Sequence, residues 1–116
     1  MEKEGGIMNK KELGRFGEKM AAEYLKLNGY EIVAQNFSCR IGEIDIIAKK
    51  NNRIVFFEVK FRTTDQFGLP REAIDKNKIE HIRKAAAVYM MWEKVTNYDV
   101  GFDVIEVYCN HIENAF

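Results

Sequence analysis

Residues 42–61 alternate apolar and polar side chains in two successive stretches, and no other feature of the chain narrows its folding choices as much. A period of two sends neighbouring side chains to opposite faces of a strand. Between the stretches stands Lys50-Asn51-Asn52, and Asn tolerates the positive φ that a tight hairpin turn requires. Residues 42–49 therefore read as one strand, with Glu43, Asp45 and Ile47 on one face and Ile44, Ile46 and Ala48 on the other. Residues 53–61 read as its partner, with Ile54, Phe56, Glu58 and Lys60 on one face and Val55, Phe57, Val59 and Phe61 on the other.

With Asn51 and Asn52 as the two turn residues, Lys50 meets Arg53, and the antiparallel register that follows sets Asp45 opposite Glu58 and Glu43 opposite Lys60. It also joins Ile44 to Val59, Ile46 to Phe57 and Ala48 to Val55; a slip of one residue would set a charged face against an apolar one. Two opposed carboxylates then have Cβ atoms about 4.5–5.5 Å apart, and such like charges destabilise a sheet by about 0.2–1 kcal/mol. A wet face with a weak Glu43–Lys60 ion pair is the plain alternative. Ile47, Ile54 and Phe56 on the same face favour an embedded pair, because such side chains suit a water-facing surface poorly. Lys60 can offset one charge. A divalent cation answers the arrangement better, since Mg²⁺ takes a few carboxylate oxygens and completes its octahedron with water or phosphate.

The flanking sequence supplies the rest of the order. Asn9 and Glu12 have capping-box spacing, and Leu13, Phe16, Met20, Tyr24 and Leu27 follow at helical intervals until Asn28-Gly29 supplies a stop. A second row on this helix, Gly14, Glu18, Ala21, Ala22 and Leu25, sets Glu18 among small and apolar neighbours. Gly14 and Gly17 cost about 0.8–1 kcal/mol each in a helix interior relative to alanine, which suggests that something approaches closely. Residues 30–34 read as a strand, 35–40 as a turn or edge segment, and 62–70 as a polar loop. A second helix is expected to begin between Asp75 and Asn77, with Asn77 and Glu80 as a capping box and a stripe of Ile79, Ile82, Ala86, Tyr89 and Trp92 or Glu93. Residues 101–109 form a last strand. The expected fold is α/β, in the order α-β-β-β-α-β, with a mixed sheet flanked by helices. A chain of 116 residues encloses one core, so residues 1–8 are expected to be a flexible tail and residues 9–116 a single domain.

The formal net charge is zero, which argues against nucleic-acid wrapping through bulk positive charge. The charge is uneven, though: residues 1–90 hold 17 Lys or Arg against 13 Asp or Glu, and residues 91–116 hold one against five. Cys39 and Cys109 lack neighbours at a metal-binding spacing and receive no role. No leader and no membrane-length apolar run stands out, so a cytoplasmic protein without a membrane is expected.

Asp45, then Glu58-Val59-Lys60 on the following strand, with Glu18 on a preceding helix, resembles the PD-(D/E)XK nuclease superfamily, whose fold is restriction-endonuclease-like. More narrowly, Gly14-Arg15-Phe16-Gly17-Glu18, Asn36-Phe37, Gly42-Glu43-Ile44-Asp45, Glu58-Val59-Lys60 and the terminal Asn114-Ala115-Phe116 resemble the small bacterial YraN-like family, related to archaeal Holliday junction resolvases. The likeness covers nearly all of the chain after the tail. The proline usual before the Asp is Ile44 here, a departure that bears on strand entry. The resemblance implies Asp45 and Glu58 as ligands of Mg²⁺ or Mn²⁺, the carbonyl of Val59 as a third, and Glu18 reaching the metal directly or through water. It implies Lys60 orienting the attacking water, and Glu43 as a supporting partner of Lys60 or an extra ligand. The expected substrate is DNA, branched or otherwise structured, and a homodimer is implied. Arg15, Arg40, Arg62, Arg71, Lys76, Lys78, Arg83 and Lys84 are the candidate phosphate contacts. Two rivals stand beside this endonuclease: a non-catalytic module binding nucleic acid or protein on the same fold, and a retaining glycosidase, whose carboxylates also stand about 5 Å apart. The neighbouring lysine and the lack of an aromatic sugar platform speak against the glycosidase.

Overall fold

The computed structural model describes residues 6–63 and 75–116. Part of the expected tail, most of the polar loop and Arg71 lie outside the described residues. Helix α1 (Lys10–Leu27) is followed by strands β1 (Glu31–Ser38), β2 (Glu43–Lys50) and β3 (Arg53–Thr63), helix α2 (Lys76–Trp92) and strand β4 (Asp99–Cys109). Among the described residues the four strands form one sheet in the order β1-β2-β3-β4. The first two pairings are antiparallel and β3–β4 is parallel. A parallel pair needs a crossover, and α2 lies within it. The expected α/β order and mixed sheet are what the chain adopts.

Local chemistry sets the element ends. The Asn9 side chain accepts from the Glu12 backbone N–H at 2.9 Å, and Glu12 returns the contact to the Asn9 N–H at 3.2 Å, so the capping box is formed. Asn28 closes the helix, with Gly29 at φ 87° turning the chain into β1. At α2 the expected box of Asn77 and Glu80 does not form. Asp75 is the cap instead, accepting from the Asn77 N–H at 2.8 Å, while Glu80 pairs with Lys84 one turn on.

The helices cover opposite faces of the sheet. Ala21, Ala22 and Leu25 of α1 pack on Ile46, Ala48, Val55 and Phe57. Ala85, Ala86 and Tyr89 of α2 pack on Ile44, Ile47, Ile54 and Phe56. Burying side chains the size of Ile or Phe is worth about 1.5–3 kcal/mol each. On α1 the row of small residues therefore faces the sheet. The larger apolar row does not: Met20, Tyr24 and Leu27 are 45%, 58% and 87% exposed. Small side chains win that face because they let the helix sit close, and a Cβ on Gly17 would meet the Phe61 Cβ at 3.0 Å. Gly14 has open space instead of the expected close neighbour.

Two departures from simple alternation shape the end of the sheet nearest the acids. β1 runs on to Ser38 where a turn or edge segment was expected, its register shifting between Ile32 and Ala34. Asn36 then takes φ 52°, which Asn tolerates, and Phe37 packs on the α2 side against Tyr89 at 5.2 Å between ring centroids. Opposite, Ile44 and Ile46 are two residues apart yet join cores on different sides of the sheet, so the expected common face of Ile44, Ile46 and Ala48 breaks at Asp45.

Candidate functional site

The hairpin turn and the expected register are present: Lys50 pairs with Arg53, Ala48 with Val55 and Ile46 with Phe57, and Asn51 takes φ 55°. The ladder ends there, so the expected backbone pairings of Asp45 with Glu58, Ile44 with Val59 and Glu43 with Lys60 do not form. Beyond Phe57, strand β3 stays paired with β4 as far as Thr63, while β2 no longer follows it. In place of a backbone pairing, the Asp45 carboxylate accepts the Val59 N–H at 2.7 Å. Asp45 thus stands at a fork where two strands separate, and its side chain satisfies a donor that the diverging backbone leaves open.

Glu58 lies beside it, close enough for the two carboxyl groups to share a hydrogen bond. Burial pushes the Asp45 carboxyl up to about 6, and the Glu58 carboxylate adds to the rise. The Val59 N–H and the positive charge of Lys78 oppose it. The expected pairing of two facing acids is therefore a contact of half-buried groups, at the place where the strands part. Val59 contributes its N–H to this arrangement.

Glu18 approaches from α1. Its pKa is raised by burial and by the charges of Asp45 and Glu43, and lowered by a hydrogen bond with the Asn36 side chain and by Arg15. It is near enough to Asp45 and Glu43 for their charges to act on it, and among the described residues no three His, Cys, Asp or Glu side chains form a group that could hold a metal. The carboxylates positioned for a cation are Asp45 and Glu58. Two suffice for Mg²⁺, which is commonly held by one or two carboxylates with water and substrate phosphate. Lys60 is half-buried one step past Val59 and forms no ion pair among the described residues. Glu43 is exposed, pairs across the sheet with Ser38, and lines a cavity of about 370 Å³ together with Asp45, Glu58, Lys78 and His81.

The candidate phosphate contacts divide by their partners. Lys78 belongs to the acid pair itself, with its Nζ 3.0 Å from Glu58 Oε2. Arg62 is turned inward and paired with Glu106 at 2.9 Å, both side chains being largely buried, which withdraws it from a phosphate surface. Arg83 lies over the Phe102 ring, 5.0 Å from its centroid, and Lys84 pairs with Glu80 at 3.0 Å. Arg15 shares a cleft with Glu18 and Asn36; Arg40 is exposed between β1 and β2, and Lys76 is exposed at the start of α2. The placement of Lys78 was missed by sequence reasoning. The strand pattern gives no sign of which helix residue reaches the fork.

Fold and site together define a small α/β protein with a paired-carboxylate cluster where two strands of a mixed sheet diverge. A family model described as "Uncharacterised protein family UPF0102" matches residues 17–107, a span that includes the fork and both helices' contacts with it. The chain belongs to this family. It is 50% identical to a UPF0102 protein of Caldanaerobacter subterraneus subsp. tengcongensis, over 94% of this chain and 98% of that one. A UPF0102 protein of Caldicellulosiruptor saccharolyticus is also 50% identical, over 89% and 87% of the two chains. One of Clostridium acetobutylicum is 47% identical, over 94% and 96%.

Proposed function

We propose that the chain is a metal-dependent endonuclease of the PD-(D/E)XK type, hydrolysing phosphodiester bonds in structured DNA. The observation that carries this reading is the contact between Asp45 and Glu58 at the strand fork, with Asp45 raised to about 6. Adjacent half-buried acids that repel one another are costly to a sheet and useful to a cation. A carboxyl perturbed by burial and by a specific charged neighbour, set in a cavity, is a candidate functional group. Mg²⁺ or Mn²⁺ bound there would supply Lewis-acid polarisation of the phosphate and a water of lowered pKa.

The chain's own residues divide the remaining work. Asp45 is held by the Val59 N–H through Oδ2, which fixes its orientation. Glu58 offers its carboxylate from the adjoining strand. Lys60, next on β3 after Val59, orients the attacking water and opposes the charge that develops on the phosphate. Glu18, with its pKa raised beside Asp45, holds or relays a proton at the edge of the site. Arg15, Arg40, Lys76 and Arg83 position the DNA backbone. In this reading a second copy of the chain is a partner, since a two-fold dimer meets a branched substrate symmetrically.

The test is cleavage of linear, flapped and four-way DNA with Mg²⁺ and with Mn²⁺. Lys60→Ala is expected to retain metal and DNA binding and to lose cleavage by about 10²–10³-fold. Equal cleavage by both proteins would remove the role given to Lys60. A non-catalytic binding module is the second reading, favoured by the lack of a third acidic ligand among the described residues. Inactivity of the wild type on every substrate, with retained DNA binding, would select it.

A further inference from the structure

Two half-buried carboxylates in contact require positive charge, and the fork already contains some. Lys78 extends from the first turn of α2 and places its Nζ 3.0 Å from Glu58 Oε2. Its charge is also felt by Asp45, so one ammonium serves both acids. Lys60 follows Glu58 by two residues on β3, yet it is the helix lysine that makes the ion pair. The two partners are unequally placed: the Glu58 side chain is 11% exposed and that of Lys78 is 51% exposed. The acid is fixed in the protein, whereas the lysine reaches in from solvent on a flexible stem and can leave without disturbing the core.

We propose that Lys78 is an exchangeable counter-ion of the Asp45–Glu58 pair: its ammonium offsets one of the pair's charges until a divalent cation displaces it, and the released ammonium then contacts the phosphate held there. This rests on the metal-dependent reading above. Once a doubly charged ion balances the two carboxylates, their attraction for Lys78 is cancelled and the ion itself repels the ammonium. A phosphate arriving at the same cavity brings the negative charge that Lys78 has lost. The exchange keeps the charge of the acids partly balanced without substrate and delivers a cation to the phosphate when the metal is loaded.

The exchange predicts effects of opposite sign, which a purely structural salt bridge would not produce. Calorimetry with Mn²⁺ alone is expected to show Lys78→Gln binding about tenfold more tightly than wild type, the scale on which one nearby charge shifts a site's proton equilibrium. Lys78→Arg keeps the competing charge and is expected to stay near wild type. With Ca²⁺ in place of Mn²⁺, Lys78→Gln is expected to bind a four-way DNA junction more weakly, the slope of log affinity against log salt falling by about 1. Mn²⁺ binding by wild type with equal or weaker binding by Lys78→Gln overturns the exchange and leaves the nuclease reading standing. Tighter Mn²⁺ binding with unchanged junction affinity and slope overturns the phosphate contact. No Mn²⁺ binding by either protein overturns the metal-dependent reading and the exchange together. Lys78 is half-exposed on a helix's first turn, and circular dichroism of the variants checks that they fold.

Discussion

Asp45 is the residue at which stability and chemistry oppose each other. Its carboxyl is raised from 3.8 to about 6, chiefly by burial and then by Glu58. A folded state that binds a proton more tightly than the unfolded chain loses stability as pH rises. Here the loss starts near the ordinary carboxylate value and is complete above about 6. Asn at this position retains an oxygen for the Val59 N–H and has no charge to bury. Asp45→Asn is therefore expected to be more stable than wild type at pH 7.5, by on the order of 1–2 kcal/mol after allowing for partial exposure. At pH 4 the gain should shrink toward zero, and urea denaturation at both pH values measures it. A variant less stable than wild type at pH 7.5 would show that the ionised acid supports the fold. The same titration implies that Mn²⁺ binding releases more protons at pH 5 than at pH 7.5, which calorimetry in buffers of differing ionisation enthalpy reads directly. Glu18 was legible in the sequence as a member of this neighbourhood; Lys78 was not, because its reach depends on where α2 lies.

Among the elements, α1 shows why periodicity alone misleads. Its sequence carries two candidate rows, a large apolar one and a small one containing Glu18. Hydrophobicity favours the first as the buried face, yet Ala21, Ala22 and Leu25 are the residues in the core. Close approach decides it: the helix rests against β3 where Gly17 meets Phe61, and bulkier side chains would hold it away. The two glycines consequently have opposite expected effects. Gly17→Val forces a contact with Phe61 and should cost about 1–3 kcal/mol. Gly14→Ala enters open space and should stabilise by about 0.5–1 kcal/mol through helix propensity. Thermal denaturation of the two variants checks this, and matching losses would mean that Gly14 is also closely packed. The cap of α2 follows the same pattern of local competition. Asp75 and Asn77 both have capping side chains, and the one preceding the first turn accepts the free N–H.

Over the whole molecule, several of the cations the sequence offers for phosphate contact have acidic partners within the chain. Arg62 pairs with Glu106 between β3 and β4, Lys84 with Glu80, and Lys78 with Glu58. A protein of zero formal net charge attracts DNA through local groups of cations rather than through bulk charge. If Arg15, Arg40, Lys76 and Arg83 are the contacts, together with Lys78 when a metal is bound, the salt dependence should have a slope of about −4 to −5. Arg62→Met is expected to leave that slope unchanged while lowering stability, because it removes one side of a largely buried ion pair. Fluorescence anisotropy over a salt series, with urea melts of the same proteins, separates the two effects. A reduced slope for Arg62→Met would place that guanidinium on the DNA. Among the described residues no helix is long and apolar enough to cross a membrane.

The sequence by itself determined the hairpin, its register from the turn to Ile46 and Phe57, and the nearness of Asp45 to Glu58, because alternation and turn chemistry act over neighbouring residues and one slip would misplace every side chain. It likewise determined the first helix, through the Asn9–Glu12 box and the Asn28-Gly29 stop, and the order of elements. Only the tertiary structure decided which row of α1 is buried, where β2 leaves β3, and that Lys78 joins the acids while Arg62 turns inward. Those outcomes depend on packing between segments far apart in the chain, and the strength of each ion pair depends on burial that no local pattern encodes.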